Sequence, residues 1–432
     1  MELNINSNAG IIPTSDPNRR LTYRSLYCSV TTERRPCVTI LSLAYNHKDP
    51  IMYRDKLGVY RVGHLNFYSK LDAIEMHAKT GIHPHWDFNE AVFDSYDWTQ
   101  EPAASLPELY RQRAQQLRDA YDYLILMYSG GADSTNMLDA FLLNDIKIDE
   151  LASFHNFTAT GDRDSYLNCE IWRVVLPRIQ RLEQTHPWIK HRMIDTTALT
   201  LDYFSQRDSK FEWIYQMNFA FSPSNVSRES LALKIPEWRR LIDQGKKVGV
   251  VWGCDKPRIK HHDDNSFSLH FIDLIDSSVT RNSMQGLLPY NDELFYWTPD
   301  LPQIVIKQAH TVKKFLQSVD PETSPWMTLE PNGLANLRHA RGTYWLTTHG
   351  LHRLIYPHWD IDTFSAGKVR SVVFTPRDTW FFNMTNMEHI KRNWRMGLDK
   401  WWQTLPEHWR NNPGDISKNI KCCVSKNYVL GA

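Results

Sequence analysis

Six consecutive positions carry the residues of this chain best suited to chemistry: Ser129, Gly130, Gly131, Ala132, Asp133 and Ser134. Two glycines let the backbone come close to a ligand, and successive N–H groups in such a turn attract anions. The apolar run Tyr123-Leu-Ile-Leu-Met-Tyr128 precedes them with the length of a strand, and the apolar-periodic stretch from Thr135 to Leu143 follows with helical spacing. The turn is therefore expected at a helix N-terminus, where backbone donors and the positive end of the dipole meet negative charge. A polyphosphate suits that cradle, with Ser129 and Ser134 offering hydroxyls and Asp133 available to the magnesium that phosphates carry. The run contains no lysine at the Walker position and lacks the GxGxxG spacing of dinucleotide folds.

The elements that must position this turn can be read from the same pattern. Ser105-Leu-Pro-Glu108 has the spacing of a capping box and starts an amphipathic helix to Ala120, which delivers the chain into the strand at Tyr123. Strands are expected at 148–154, 191–195 and 247–252, with helices over 166–183, 200–220 and 228–244 between them. This alternation predicts an α/β fold, an open and mostly parallel sheet with helices on both faces. Ligands of such sheets bind beyond the carboxyl ends of the strands. Phe154 ends the second strand as a nucleotide-binding candidate, and His155 and Asn156 after it fit an adenosine contact or a surface turn equally; Asp195, Thr196 and Thr197 stand at the end of the third. After the fourth comes Gly253-Cys254-Asp255-Lys256-Pro257, where Gly253 is expected beside the ligand and Asp255 is expected as a second magnesium ligand facing the same crevice as Asp133, with a turn-forming aspartate before proline as the alternative.

SGGADS resembles the SGGxDS signature of the PP-loop ATP pyrophosphatases, the superfamily that includes asparagine synthetase, GMP synthetase, NAD synthetase, tRNA-lysidine synthetase and the 7-cyano-7-deazaguanine synthases. The segment from Gly253 resembles the GxDE-type second motif of the asparagine synthetase group, with Lys256 where an acid is usual. The stretch from Asp292 into the expected helix Gln303 to Val319 resembles the corresponding segment of uncharacterised PP-loop proteins of large bacteriophages. The resemblance implies a HUP-like domain that cleaves ATP to AMP and pyrophosphate with Mg2+. It would adenylate a carboxylate or carbonyl acceptor for attack by an amine or ammonia. Synthetases of the superfamily set a late lysine against the pyrophosphate, and Lys307 is the candidate; a solvated helix face accounts for it equally. The glutaminase nucleophile of asparagine synthetases, a cysteine after the initiator methionine, has Glu2 in its place here, so the resemblance covers the synthetase half.

Around this domain, over 101–330, the sequence predicts a small α+β unit over 1–100 and a basic, tryptophan-rich unit over 331–432. The first unit is expected to hold a strand at 36–44, a hairpin about Gly63-His64, and a helix from Ser69 to Gly81. His83 and His85 are read as loop or packing residues, because no further Cys/His set stands at zinc spacing. His261 and His262 belong to a hairpin tip.

The last 102 residues hold 14 Lys+Arg against 7 Asp+Glu and seven of the 16 tryptophans, a composition that fits either nucleic-acid contact or a compact aromatic core. The whole chain has a formal net charge of only +1, which removes any bulk attraction to nucleic acid or membrane. Six cysteines without a CxxC pair, and no apolar run of membrane length, predict a cytoplasmic protein, in the host cytoplasm if phage-encoded. Two functions of other classes stay open: a PP-loop enzyme modifying a tRNA or DNA base, and a nucleotide-binding protein without turnover.

Overall fold

The computed structural model describes residues 58–67, 70–155, 171–205, 231–253, 257–273, 290–318, 342–345, 351–358 and 424–432, together with six helical positions between 388 and 407. Among the expected features, the strand at 36–44, Asn156, Cys254, Asp255, Lys256 and the tryptophans from Trp359 to Trp409 lie outside these residues.

Five parallel strands form the central sheet: β4 (Tyr123–Met127), β5 (Glu150–His155), β6 (Lys190–Asp195), β7 (Val248–Trp252) and β10 (Tyr290–Leu294). Their order is β10-β7-β4-β5-β6. The chain begins in the middle, runs outward through β5 and β6, returns to place β7 beside β4, and ends at β10 on the far edge. The order therefore reverses between β4 and β7, and the crevice beyond their carboxyl ends is the place where open α/β sheets bind ligands. All five residues of β7 are buried, as expected of a strand covered on both faces. β10 was not expected from the sequence. It holds Asp292 and Glu293 side by side, which breaks any apolar pattern, and both are buried.

Helices cover both faces. On one side α3 (Leu106–Ala120) starts with the expected capping box: Ser105 N–H donates to Glu108 Oε2 at 2.7 Å, and Glu108 N–H donates to Ser105 Oγ at 3.4 Å. Its inner face carries Leu109, Tyr110, Ala114 and Leu117 at helical spacing, and among them the buried Arg113 donates to Glu293 Oε2 of β10 at 2.9 Å. On the other side α8 (Pro236–Asp243) sends Trp238 Nε1 to Glu150 Oε1 of β5 at 3.0 Å. The helix expected over 166–183 appears as a π turn, Ile171–Val175, running into α5 (Leu176–Thr185). The one expected over 200–220 starts earlier, as α6 (Thr196–Ser205) at the end of β6, with its remainder outside the described residues. The one expected over 228–244 is broken into α7 (Leu231–Lys234) and α8.

Two antiparallel sheets complete the described fold. β1 (Val59–Val62), β2 (Leu65–Phe67) and β3 (His85–Asp87) form the first, in the order β2-β1-β3, with α1 (Lys70–Thr80) ending at Gly81 as the sequence predicted and the short α2 (Glu90–Phe93) following β3. The second joins the predicted hairpin β8 (Arg258–His261) and β9 (Phe267–His270) to β11 (Gly342–Trp345) and β12 (Tyr428–Gly431), in the order β11-β8-β9-β12. Packing thus crosses both boundaries expected at 100 and 330. Tyr60 donates to Asp273 Oδ2 at 3.0 Å, and Trp98 stacks on Tyr428 with ring centroids 4.4 Å apart. Further along, Glu388, Arg392, Met396, Asp399, Gln403 and Glu407 are helical and exposed. No described helix is long and apolar enough to cross a membrane.

Candidate functional site

The glycine turn begins at Ser129, after β4 and Tyr128, and enters α4 (Ala132–Leu142) at Gly131, the N-cap. It sits at the carboxyl end of the central strand, beside the point where strand order reverses. Gly131 supplies no side-chain acceptor, so no cap side chain covers the first-turn N–H groups of α4. The two serines turn inward: Ser129 N–H donates to Ser134 Oγ at 3.2 Å, the two hydroxyls lie 3.2 Å apart, and Ser134 Oγ donates to Gly131 O at 3.2 Å. Ser129 and Ser134 therefore lace the turn together, where the sequence had offered their hydroxyls to a ligand.

Two glycines fix where the turn lies. Gly130 has φ +78°, and a Cβ there would stand 3.0 Å from Val175 Cγ2 of the π turn. Gly253, which follows β7, faces the same turn from the neighbouring strand. A Cβ on it would stand 3.3 Å from the main-chain carbon and oxygen of Asp133 and from Ser134 Cα. The two segments that the sequence assigned to one crevice are thus in contact, with Gly253 as the point of approach.

Asp133 is held from outside the β4–α4 unit. Tyr296 donates its hydroxyl to Asp133 O at 2.6 Å and accepts from Asn136 Nδ2 at 2.9 Å; Tyr356 donates to Asp133 Oδ1 at 2.6 Å. Both tyrosines are fully buried, and their rings lie 5.3 Å apart. Burial, and after it the negative charge of Asp133, holds the Tyr356 hydroxyl well above its ordinary pKa; burial with the neighbouring Tyr110 and Asp133 does the same for Tyr296. They stay protonated donors at any ordinary pH. Behind them Tyr110 donates to Ile355 O at 2.6 Å and accepts from Gln308 Nε2 at 2.9 Å, which anchors the segment carrying Tyr356 to α3 and α9 (Gln303–Ser318). The sequence reading missed both tyrosines. Tyr296 follows β10 and would have been a strand-end residue had that strand been recognised. Tyr356 stands 223 residues from Asp133, and nothing local marks it.

The other expected residues divide. Phe154 stacks against Trp252 of β7, centroids 6.2 Å apart, and the neighbouring His155 O accepts from Thr196 Oγ1 at 2.9 Å. These place the ends of β5, β6 and β7 around one crevice. Burial lowers the His155 pKa against the pull of Asp195, so the imidazole is neutral near pH 7. Lys307 lies elsewhere. Its ammonium donates to Pro102 O at 2.9 Å and pairs with Glu101 at 2.8 Å, so it ties α9 to the loop before α3, and no described contact brings it to the turn.

A magnesium carried by a nucleotide needs only one or two protein carboxylates, and Asp133, in the first turn of α4 with its Oδ1 accepting from Tyr356, supplies a carboxylate of that kind beside the glycine turn. No group of three His, Cys, Asp or Glu side chains able to hold a metal without a nucleotide occurs among the described residues. Comparison of the chain with protein-family models, with curated proteins and with solved structures gives no match.

Proposed function

We propose that this protein is a PP-loop ATP pyrophosphatase that cleaves ATP to AMP and pyrophosphate. In doing so it activates a carboxylate or carbonyl acceptor for attack by an amine or ammonia. The observation that carries the reading is the SGGADS turn itself, lying at the N-terminus of α4, uncapped by any N-cap side chain, at the reversal point of a parallel sheet. Pyrophosphate in that cradle would meet the first-turn N–H groups and the helix dipole, already oriented where charge develops on the leaving group. The inward hydrogen bonds of Ser129 and Ser134 keep the turn in this shape without a ligand. Gly253 lets the end of β7 approach the turn closely, and Phe154 and His155 at the end of β5 would meet the nucleoside.

Magnesium, held by Asp133 and by Asp255 after β7, would neutralise charge on the phosphates. The acceptor oxygen attacks the α-phosphorus, the bond to the β-phosphate oxygen breaks and pyrophosphate leaves. The amine then displaces AMP from the activated acceptor. The protein's share is positioning and charge stabilisation. Incubation with α-labelled ATP, magnesium and a metabolite extract should yield labelled AMP together with pyrophosphate. ADP with phosphate as the products would refute the reading.

A second reading, nucleotide binding without turnover, draws support from Tyr356, whose hydroxyl already occupies one oxygen of Asp133. Tight ATP binding with no AMP formed in the same incubation would favour it.

A further inference from the structure

Tyr356 approaches the glycine turn from a part of the chain that no sequence pattern connects with nucleotide binding. It follows α10 (His352–Ile355), is 1 % exposed, and its hydroxyl donates to Asp133 Oδ1 at 2.6 Å. Tyr296 holds the carbonyl of the same residue at 2.6 Å, and Gly253 abuts its main chain. Main chain and side chain of Asp133 are therefore fixed by separate groups, all from outside the β4–α4 unit. The phenol donates to one carboxylate oxygen and thereby sets the direction of the other.

We infer that Tyr356 is the positioning residue for Asp133, orienting the carboxylate so that a metal–nucleotide complex on the glycine turn finds its oxygen already aimed. The inference rests on the ATP-binding reading above. Groups that hydrogen-bond a metal ligand and fix its orientation typically account for 10- to 100-fold of metal affinity. They act with no contact of their own to the metal. The same geometry gives the 351–358 segment a functional reason to be anchored by Tyr110 on Ile355 O.

The test uses the full chain and manganese with α,β-methylene-ATP, with bound Mn2+ read by electron paramagnetic resonance and bound nucleotide by calorimetry, so that turnover is not needed. Tyr356→Phe keeps the ring and its packing against Tyr296 and removes only the hydroxyl. It should weaken Mn2+ uptake in the presence of the analogue by about tenfold or more, while binding of the analogue without metal changes less than about twofold. Tyr60→Phe, which removes a buried hydroxyl that donates to a different carboxylate, Asp273 Oδ2, is the control for a packing effect. It should lower the unfolding midpoint as Tyr356→Phe does and leave Mn2+ uptake unchanged. Equal Mn2+ affinity in the wild type and Tyr356→Phe overturns the inference and leaves the ATP reading standing. Equal losses in Tyr356→Phe and Tyr60→Phe also overturn it, because packing then explains both. A wild-type protein that takes up neither nucleotide nor metal overturns the ATP reading together with the inference.

Discussion

Asp133 receives a hydroxyl on its carbonyl and another on its carboxylate, each at 2.6 Å, from tyrosines that meet the turn only in the folded chain. If it carries the metal in the proposed reaction, Asp133→Asn should cut AMP formation by about 100-fold or more, since the amide lacks the charge a hard cation needs. The variant should still fold, because the amide can accept from Tyr356, and circular dichroism with product analysis separates the two effects. Unchanged turnover would contradict the metal assignment. Asp292 is the other acid whose surroundings matter. It accepts from Trp252 Nε1 at 2.8 Å, and burial, with Glu293 adding to it, pushes its pKa up to about 7 against that hydrogen bond. The folded protein therefore keeps a proton that the unfolded chain releases between the ordinary value of 3.8 and about 7. Stability from this group falls as pH rises through that window and levels off above it, by on the order of 4 kcal/mol. Asp292→Asn preserves the acceptor for Trp252 and removes the titration. Urea unfolding at about pH 5 and about pH 8 should show the wild type losing more stability than the variant; identical losses would contradict the buried neutral acid.

At the scale of elements, the unit β4, turn and α4 was legible because each part carries its own local signal: an apolar strand, small residues, then helical periodicity. The capping box at Ser105, the stop at Gly81 and the β8–β9 hairpin were legible for the same reason. β10 was not. Its two acids are tolerable in a buried strand only because Arg113 comes from α3 and Trp252 from β7, 180 and 40 residues away, and a local pattern carries no trace of such partners. The π turn was equally hidden, although it shapes the site by packing Val175 against Gly130. Gly130→Ala should therefore cost roughly 1–3 kcal/mol in stability, from the positive φ and the 3.0 Å contact with Val175 together. It should also abolish nucleotide binding, because relief moves the turn. A thermal melt and a binding titration check both, and a variant that binds ATP as the wild type does would show that the turn's conformation is immaterial.

For the molecule as a whole, distant segments share sheets. The last strand, β12, completes the sheet begun by the hairpin after β7, Tyr428 stacks on Trp98, and Lys313 of α9 donates to Leu430 O at 2.8 Å. Deletion of residues 424–432 would unpair one edge of β9 and uncover Phe93, Trp98 and Phe271, which pack with Tyr428. The loss of two large buried side chains alone predicts a stability drop of about 3–6 kcal/mol, read as a lower urea midpoint; an unchanged midpoint would contradict the packing described. Composition marked the C-terminal hundred residues as basic and aromatic but could not tell that their strands join a sheet from the middle of the chain, since pairing partners leave no compositional mark. Nor could it tell that a tyrosine among them reaches Asp133.

The most direct test of the central claim is a crystal structure of the protein with a non-hydrolysable ATP analogue and magnesium. The account expects the β- and γ-phosphates on the N–H groups of the Gly130–Ser134 turn, the nucleoside toward Phe154 and His155, and metal on Asp133. Well-diffracting crystals grown at saturating analogue with that turn bare, or with the nucleotide bound elsewhere, would contradict it.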